Sequence, residues 1–302
     1  MIPVRKIGYA VFETPDLPRL LAYYTGVVGL VVIGQDKGRA FLATEAGEQA
    51  IVLEQGSVAR CKRLSLQTDA TFDLQEAARA LLEVGLKSTQ RKDATPCVAD
   101  AIEFDDPAGT TVELFSSKIL VKNTASPTGV SPLKLGHTAF TVPDAHKMVD
   151  FYTKVLGFRV SDWLMDVFAF LRCGPDHHTV NFVAGDTSRI HHAAFELKDA
   201  SHILAACDVL GRKNMQIIWG PGRHGIGHNV FVYHRDPDDH IVEFYIEMDQ
   251  MTEESSGAFD PRPWHKDNPQ RPKVWERAPG GLTWGTPPTP EFLRTHFKNS
   301  AF

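Results

Sequence analysis

All thirteen histidines of this 302-residue chain stand at residue 137 or later. Among them, His137 and His192 combine with Glu243 into a set of types that a divalent metal takes. Two imidazoles and one carboxylate on one face make the facial triad suited to non-haem Fe(II), with adjacent positions left for a substrate and dioxygen. Strand parity selects these three, because successive side chains of a strand point to opposite faces. In 191–197 the residues Ala193, Phe195 and Leu197 form an apolar face. His191 falls on that face, so it is expected to be packed or to back a ligand, while His192 points the other way. In 241–247 Glu243 opposes Val242, Phe244 and Ile246, and in 137–142 His137 opposes Phe140 and Val142. A lone strand histidine is ordinarily structural; the coincidence of all three groups on one expected surface carries the metal reading.

The elements that must position them come from a repeat. Residues 5–30 and 133–158 align at a constant offset of 128, pairing Gly8 with Gly136, Phe12 with Phe140, Asp16 with Asp144 and Tyr24 with Tyr152. Each copy reads as an alternating strand followed by an amphipathic helix, with Asp144 as N-cap and Gly157 as stop in the second. A weaker copy follows in each half, a strand near 62–68 or 191–197 and then a helix, TFDLQEAARALLEVGL or ASHILAACDVLG. Both halves close alike, with Asp106-Pro107 before Glu113 and Asp236-Pro237 before Glu243. Four units of strand, helix and about three more strands result, and repetition of this kind outweighs local propensity in assigning the fold. The first copy is a built-in control. Tyr9 stands at the place of His137, Lys62 is matched to His192, and Glu113 keeps only the carboxylate, so no metal is expected in the first half.

The expected division is residues 1–120 as an N-terminal domain without a metal, 121–133 as a linker, 134–249 as the metal domain and 250–302 as a tail. The length allows two domains, each burying its own core. The tail is proline-rich and carries Trp264, Trp275 and Trp284, so it is expected to wrap back over the second half. The net charge of −5 and the lack of a basic run give no reason to expect nucleic acid. No apolar stretch is long enough for a membrane span, and the first residues do not read as a signal peptide, so a cytoplasmic location is expected. Cys61, Cys97, Cys173 and Cys207 are far apart in sequence and are expected to be free thiols.

The segment GRHGIGHNVFVYHRDPDDHIVE (222–243), with DHHTV (176–180) and RIHHAAFEL (189–197), resembles the type I extradiol ring-cleavage dioxygenases of the vicinal oxygen chelate superfamily. The likeness covers about 1–249. Asp239 departs from the Gly or Pro usual in that turn. The resemblance implies an α+β fold of tandem βαβββ modules, two per domain, in two cup-shaped mixed sheets with the metal in the second. It implies Fe(II), with Mn(II) as the alternative, held by His137, His192 and Glu243. His178 would be the acid/base beside the dioxygen site, although parity alone leaves His177 open. His224 and Tyr233 would hydrogen-bond the diol, and His228 would be a lesser contact. The implied partners are a catecholic substrate and O2, in a homo-oligomer. Trp163, Phe168 and Phe170 are candidates for the ring pocket or for ordinary core. His146, His202, His265 and His296 are expected at the surface. Two other readings share the scaffold: a glyoxalase-like lyase or isomerase, and a metal-free binding protein of the bleomycin-resistance type.

Overall fold

The computed structural model describes residues 1–121, 128–253, 258–260, 273–275 and 282–294. The first unit is β1 (Val4–Thr14), α1 (Leu17–Tyr23), β2 (Val31–Asp36), β3 (Arg39–Ala43) and β4 (Gln49–Gln55). The second is β5 (Arg60–Thr68), α2 (Leu74–Glu83), β6 (Thr89–Thr95), β7 (Val98–Asp105) and β8 (Thr111–Phe115). The third is β9 (Lys134–Val142), α3 (Ala145–Lys154), β10 (Arg159–Leu164), β11 (Phe168–Arg172) and β12 (Val180–Ala184). The fourth is β13 (Arg189–Glu196), α4 (Ala200–Arg212), β14 (Trp219–Arg223), β15 (Val230–Arg235) and β16 (Ile241–Ile246). Tail pieces follow as β17 (Gln250–Glu253), β18 (Ala258–Asp260), β19 (Lys273–Trp275) and α5 (Pro290–Leu293). The fold is thus α+β, built from four βαβββ units.

Each half is one mixed sheet. The orders are β2-β3-β4-β1-β5-β8-β7-β6 and β14-β15-β16-β13-β9-β12-β11-β10-β19. Helix starts follow from short acids that occupy exposed backbone donors. Asp16, Asp73, Asp144 and Asp199 accept from the amides of Arg19, Gln75, Lys147 and His202. Gly29 and Gly157 take φ of 84° and 72° where the first helices of the two halves end. In the first half a wide π turn, Tyr24–Val28, precedes that glycine and carries Tyr24, Val27 and Val28 into the core. The repeated Gly8 and Gly136 have a packing cause: a Cβ there would collide with the rings of Phe115 and Tyr245, each two residues beyond the repeated glutamate.

The bulk expectation of two separate cores is corrected. One buried cluster runs through both halves, from Phe12, Tyr24 and Leu64 to Phe140, Tyr152, Phe195 and Phe244. Side chains cross between halves: Tyr23 Oη lies 2.7 Å from His234 Nε2, and Phe151 meets Phe104 edge-on at 6.1 Å. These two contacts occupy matching places, one polar and one apolar. Of the segment 121–133, residues 122–127 lie outside the described residues. Its later part is not a free linker, since Val130 is buried and its amide donates to Val27 O at 2.8 Å.

Within the described tail, β19 pairs in parallel with β10, and Phe292 of α5 is buried against Trp219 and Tyr233. Trp275 is buried, whereas Trp284 is 48% exposed and rests on the Arg223 guanidinium. Trp264, His265 and His296 lie outside the described residues. No helix among the described residues is long and apolar enough to cross a membrane.

Burial pushes the His234 imidazole down to about 3. Its folded pKa is below the unfolded value, so between those two values the unfolded chain binds the extra proton. The neutral pair contributes fully above about pH 6.5, and its contribution is lost as the pH falls toward 3. The double variant Tyr23→Phe/His234→Phe copies the apolar contact of the other side. Its urea midpoint should fall less steeply with acid over that window than that of the parent.

Candidate metal centre

His137 sits on β9, His192 on β13 and Glu243 on β16, three strands adjacent in one sheet. Register sets them side by side: Ala194 pairs with both His137 and Glu243. One donor atom from each of the three residues lies within 4.8 Å of the others. His137 Nε2 and His192 Nε2 stand 3.0 and 3.4 Å from Glu243 Oε2. Glu243 is fully buried and its other oxygen accepts from Asn229 Nδ2 at 2.9 Å. His192 Nε2 is buried with no hydrogen-bond partner among the described residues. An orphaned imidazole nitrogen aimed at a buried carboxylate and a second imidazole is the donor set a divalent cation takes, so the residues fit a metal.

The same cavity is lined by His178, Asn181, Trp219, His224, Ile226, Asn229, Tyr233 and other apolar side chains. His178 packs on the His137 ring at 4.4 Å, and His224 Nε2 lies 3.0 Å from Tyr233 Oη. Of the two neighbours, His178 faces the cavity, and His177 lies behind it with Nδ1 3.0 Å from His178 Nδ1. Burial, then the neighbouring imidazoles, holds His178 and His192 well below the usual histidine range. Burial, then the Glu243 charge, lifts the Tyr233 phenol well above its usual value. At neutral pH His178 and His192 are therefore unprotonated and the Tyr233 phenol keeps its proton.

Several expectations need correcting. His191 does not pack under the helices. A bulge between Ile190 and His192 breaks the alternation, Ile190 packs against the core, and His191 turns to the cavity side against Phe292. It backs the ligand set through Nδ1, 2.7 Å from His192 Nδ1. His228 is no cavity contact: its ring nitrogen binds Asp249 Oδ2 at 2.5 Å. Phe168 and Phe170 line the cavity as a stacked pair, while Trp163 packs against the main core and stacks on His146. His146 is at the surface, but His202 is half-buried and bonds Val130 O at 2.6 Å. All four cysteines are free. Sequence reasoning missed Asn181, Trp219, Asn229 and Phe292. For Asn181 a signal existed, a polar residue opposite the apolar Val180 and Phe182; for Phe292 none did.

Residues 134–244 match the model of the Glyoxalase/Bleomycin resistance protein/Dioxygenase superfamily. An iron-dependent extradiol dioxygenase of Rhodococcus jostii is 26% identical over 280 residues, covering 83% of this chain and 92% of that one. A manganese-dependent 2,3-dihydroxybiphenyl 1,2-dioxygenase of Geobacillus genomosp. 3 is 23% identical over 321 residues, covering 92% and 96%. The crystal structure of a Mn(II)-bound glyoxalase from Novosphingobium aromaticivorans matches with a TM-score of 0.83 at 28% identity, covering 97% of this chain and 94% of that one. Residues 134–244 are thus similar to that superfamily, and the chain shares its fold with the metal-bound glyoxalase.

The first half shows what the repeated scaffold does with the same place when the imidazoles are gone. Glu113, fully buried, takes the Tyr9 hydroxyl, the Ser65 hydroxyl at 2.7 Å and the Arg91 guanidinium. Register corrects the match of Lys62 to His192. Arg63 pairs with Thr111 as His192 pairs with Ile241, each strand partner standing two residues before its glutamate. Lys62 instead bonds Glu54 at 2.5 Å. The error came from aligning Asp69 with Asp199, whereas the cap of α2 is Asp73. Arg63 in turn reaches Glu103 at 3.2 Å. A cationic side chain fills the place, and no three described residues here form a metal-type cluster. Arg91→Ala, which strands the buried carboxylate, should cost about 3 kcal/mol in urea unfolding. Arg91→Met with Glu113→Leu should recover most of that loss.

Proposed function

We propose that this chain is a metal-dependent extradiol dioxygenase that opens the ring of a catechol-type diol beside its vicinal oxygens, using dioxygen. His137, His192 and Glu243 are the proposed ligands, with Fe(II) as the proposed ion. The observation that carries the reading is the convergence on one cavity of this set with His178, His224 and Tyr233. When bound, the ion supplies Lewis acidity toward the diol oxygens and open positions beside them. One carboxylate among the ligands leaves the ferrous site with a net positive charge, which favours an anionic catecholate.

The chain's own groups divide the remaining work. Tyr233 keeps its proton and can donate it in a hydrogen bond to one diol oxygen, while His224 beside it can accept the proton that the diol releases. His178, unprotonated and on another wall, can take a proton and return it during ring opening. Phe168, Phe170, Ile226, Trp219 and Phe292 give the ring apolar walls and keep water out.

A glyoxalase-like lyase is the second reading, favoured by the 28% identity to the Mn(II)-bound protein so titled. That chemistry needs more carboxylate at the metal. Among the described lining residues Glu243 is the sole carboxylate.

Anaerobic loading with Fe(II), followed by an oxygen electrode and catechol, tests the assignment. Oxygen uptake with a yellow product is expected. His192→Ala should lose the metal on gel filtration, whereas His191→Ala should keep it with affinity about 10- to 100-fold weaker. Metal retention without oxygen uptake, together with isomerisation of a hemithioacetal, would move the assignment to the lyase.

A further inference from the structure

Behind His178 lies a buried chain of polar groups that the reaction outlined above does not use. His177 Nδ1 is 3.0 Å from His178 Nδ1, and His177 Nε2 is 3.1 Å from Asp162 Oδ2. Asp162 and His177 are both essentially inaccessible to solvent. The carboxylate is held from the other side by the tail: Trp275 Nε1 donates to Oδ2 at 2.8 Å and the Lys273 amide to Oδ1 at 2.7 Å. The backbone of His177 is anchored too, its amide donating to Asp249 O at 2.9 Å. The row thus runs from the tail strand through β10 to the cavity wall.

The first half supplies the comparison. Ile51 pairs with Ala10 as Val180 pairs with Thr138, which sets Glu48 and Gln49 at the places of His177 and His178. Gly34 pairs with Phe41 just past a register shift, as Asp162 pairs with Phe170 just past one. All three members of the row are absent from the half that lacks the imidazole ligands. A scaffold role would be needed in both halves, so the row belongs to the chemistry of the second.

We propose that Asp162 and His177 are positioning residues that fix the proton of His178 on Nδ1, leaving Nε2 as the lone-pair nitrogen toward the bound diol. The carboxylate can only accept, so His177 carries its proton on Nε2. With a single ring proton on His177, its Nδ1 accepts, and His178 must donate there. When His178 takes a proton at Nε2, the row ends in a carboxylate that stabilises the cation, as in a base held by a third group. The proposal rests on His178 being the acid/base of the reaction proposed above, but the tautomer can be read without that reaction.

The test uses the full chain labelled with 15N-histidine, metal-free, with His178→Gln to assign the signal. The parent should show His178 protonated on Nδ1. Asp162→Asn presents a donor to His177 and should reverse both rings, putting the His178 proton on Nε2. Trp275→Phe removes a donor to the carboxylate without touching His177, and should leave the tautomer unchanged. In the iron-loaded enzyme with catechol, Asp162→Asn and His177→Gln should lower kcat about 100-fold with KM within about twofold, the scale of a misdirected base. Protonation of His178 on Nε2 in the parent, or a tautomer indifferent to Asp162→Asn, would overturn the proposal even if no variant were active. Conversely, the expected tautomers in a chain that consumes no oxygen with catechol would leave the row standing and remove the dioxygenase.

Discussion

A carboxylate cut off from water must find positive charge or several donors within its own reach. Each half of this molecule carries such a group on the closing strand of its second βαβββ unit, Glu113 and Glu243, both fully buried. In the first half the answer is protein, the Arg91 guanidinium with two hydroxyls. In the second half the neighbours are imidazoles, an amide and a phenol, which offer directed lone pairs and protons but no permanent charge. A divalent ion is the proposed completion. One scaffold thus balances the same buried charge in two ways, with a structural result in one half and a chemical one in the other.

The geometry of that balance is held by rigid parts. The three proposed ligands lie on adjacent strands, so their spacing is set by hydrogen-bonded register rather than by loops. Gly136 lets the Tyr245 ring pass beneath the strand that carries His137, and the His137 ring rests on it at 4.9 Å. The described tail adds the far wall: Phe292 closes over His191 and Trp219, and Trp275 binds the carboxylate behind His177. Residues remote in sequence therefore reach both the cavity and the row of groups behind it.

Much of this was legible in the chain. The repeat of Gly8 and Gly136, the matched Asp-Pro turns and the alternation around Phe140, Phe195 and Phe244 suffice for four βαβββ units. The same alternation picks out His137, His192 and Glu243. It failed where the backbone departs from strict alternation. The bulge at Ile190–His192 moved His191 off the core face, and the longer run from Arg63 to the cap of α2 made Asp69 a false anchor and shifted the match to His192 by one residue. His228 was misread because it shares a loop with His224, yet a φ of 52° turns it toward Asp249.

By itself the sequence determined the repeated architecture, the half that holds the imidazoles and the kinds of group offered to a metal. Those depend on residue type and on periodicity, which are local properties of the chain. Only the tertiary structure decided which of two adjacent histidines faces the cavity, what stands behind it, and that both halves share one core. Those depend on bulges, register and long-range approach. Asp162 meets His177 and Trp275 because strands far apart in sequence pair in one sheet, and no spacing along the chain announces that meeting.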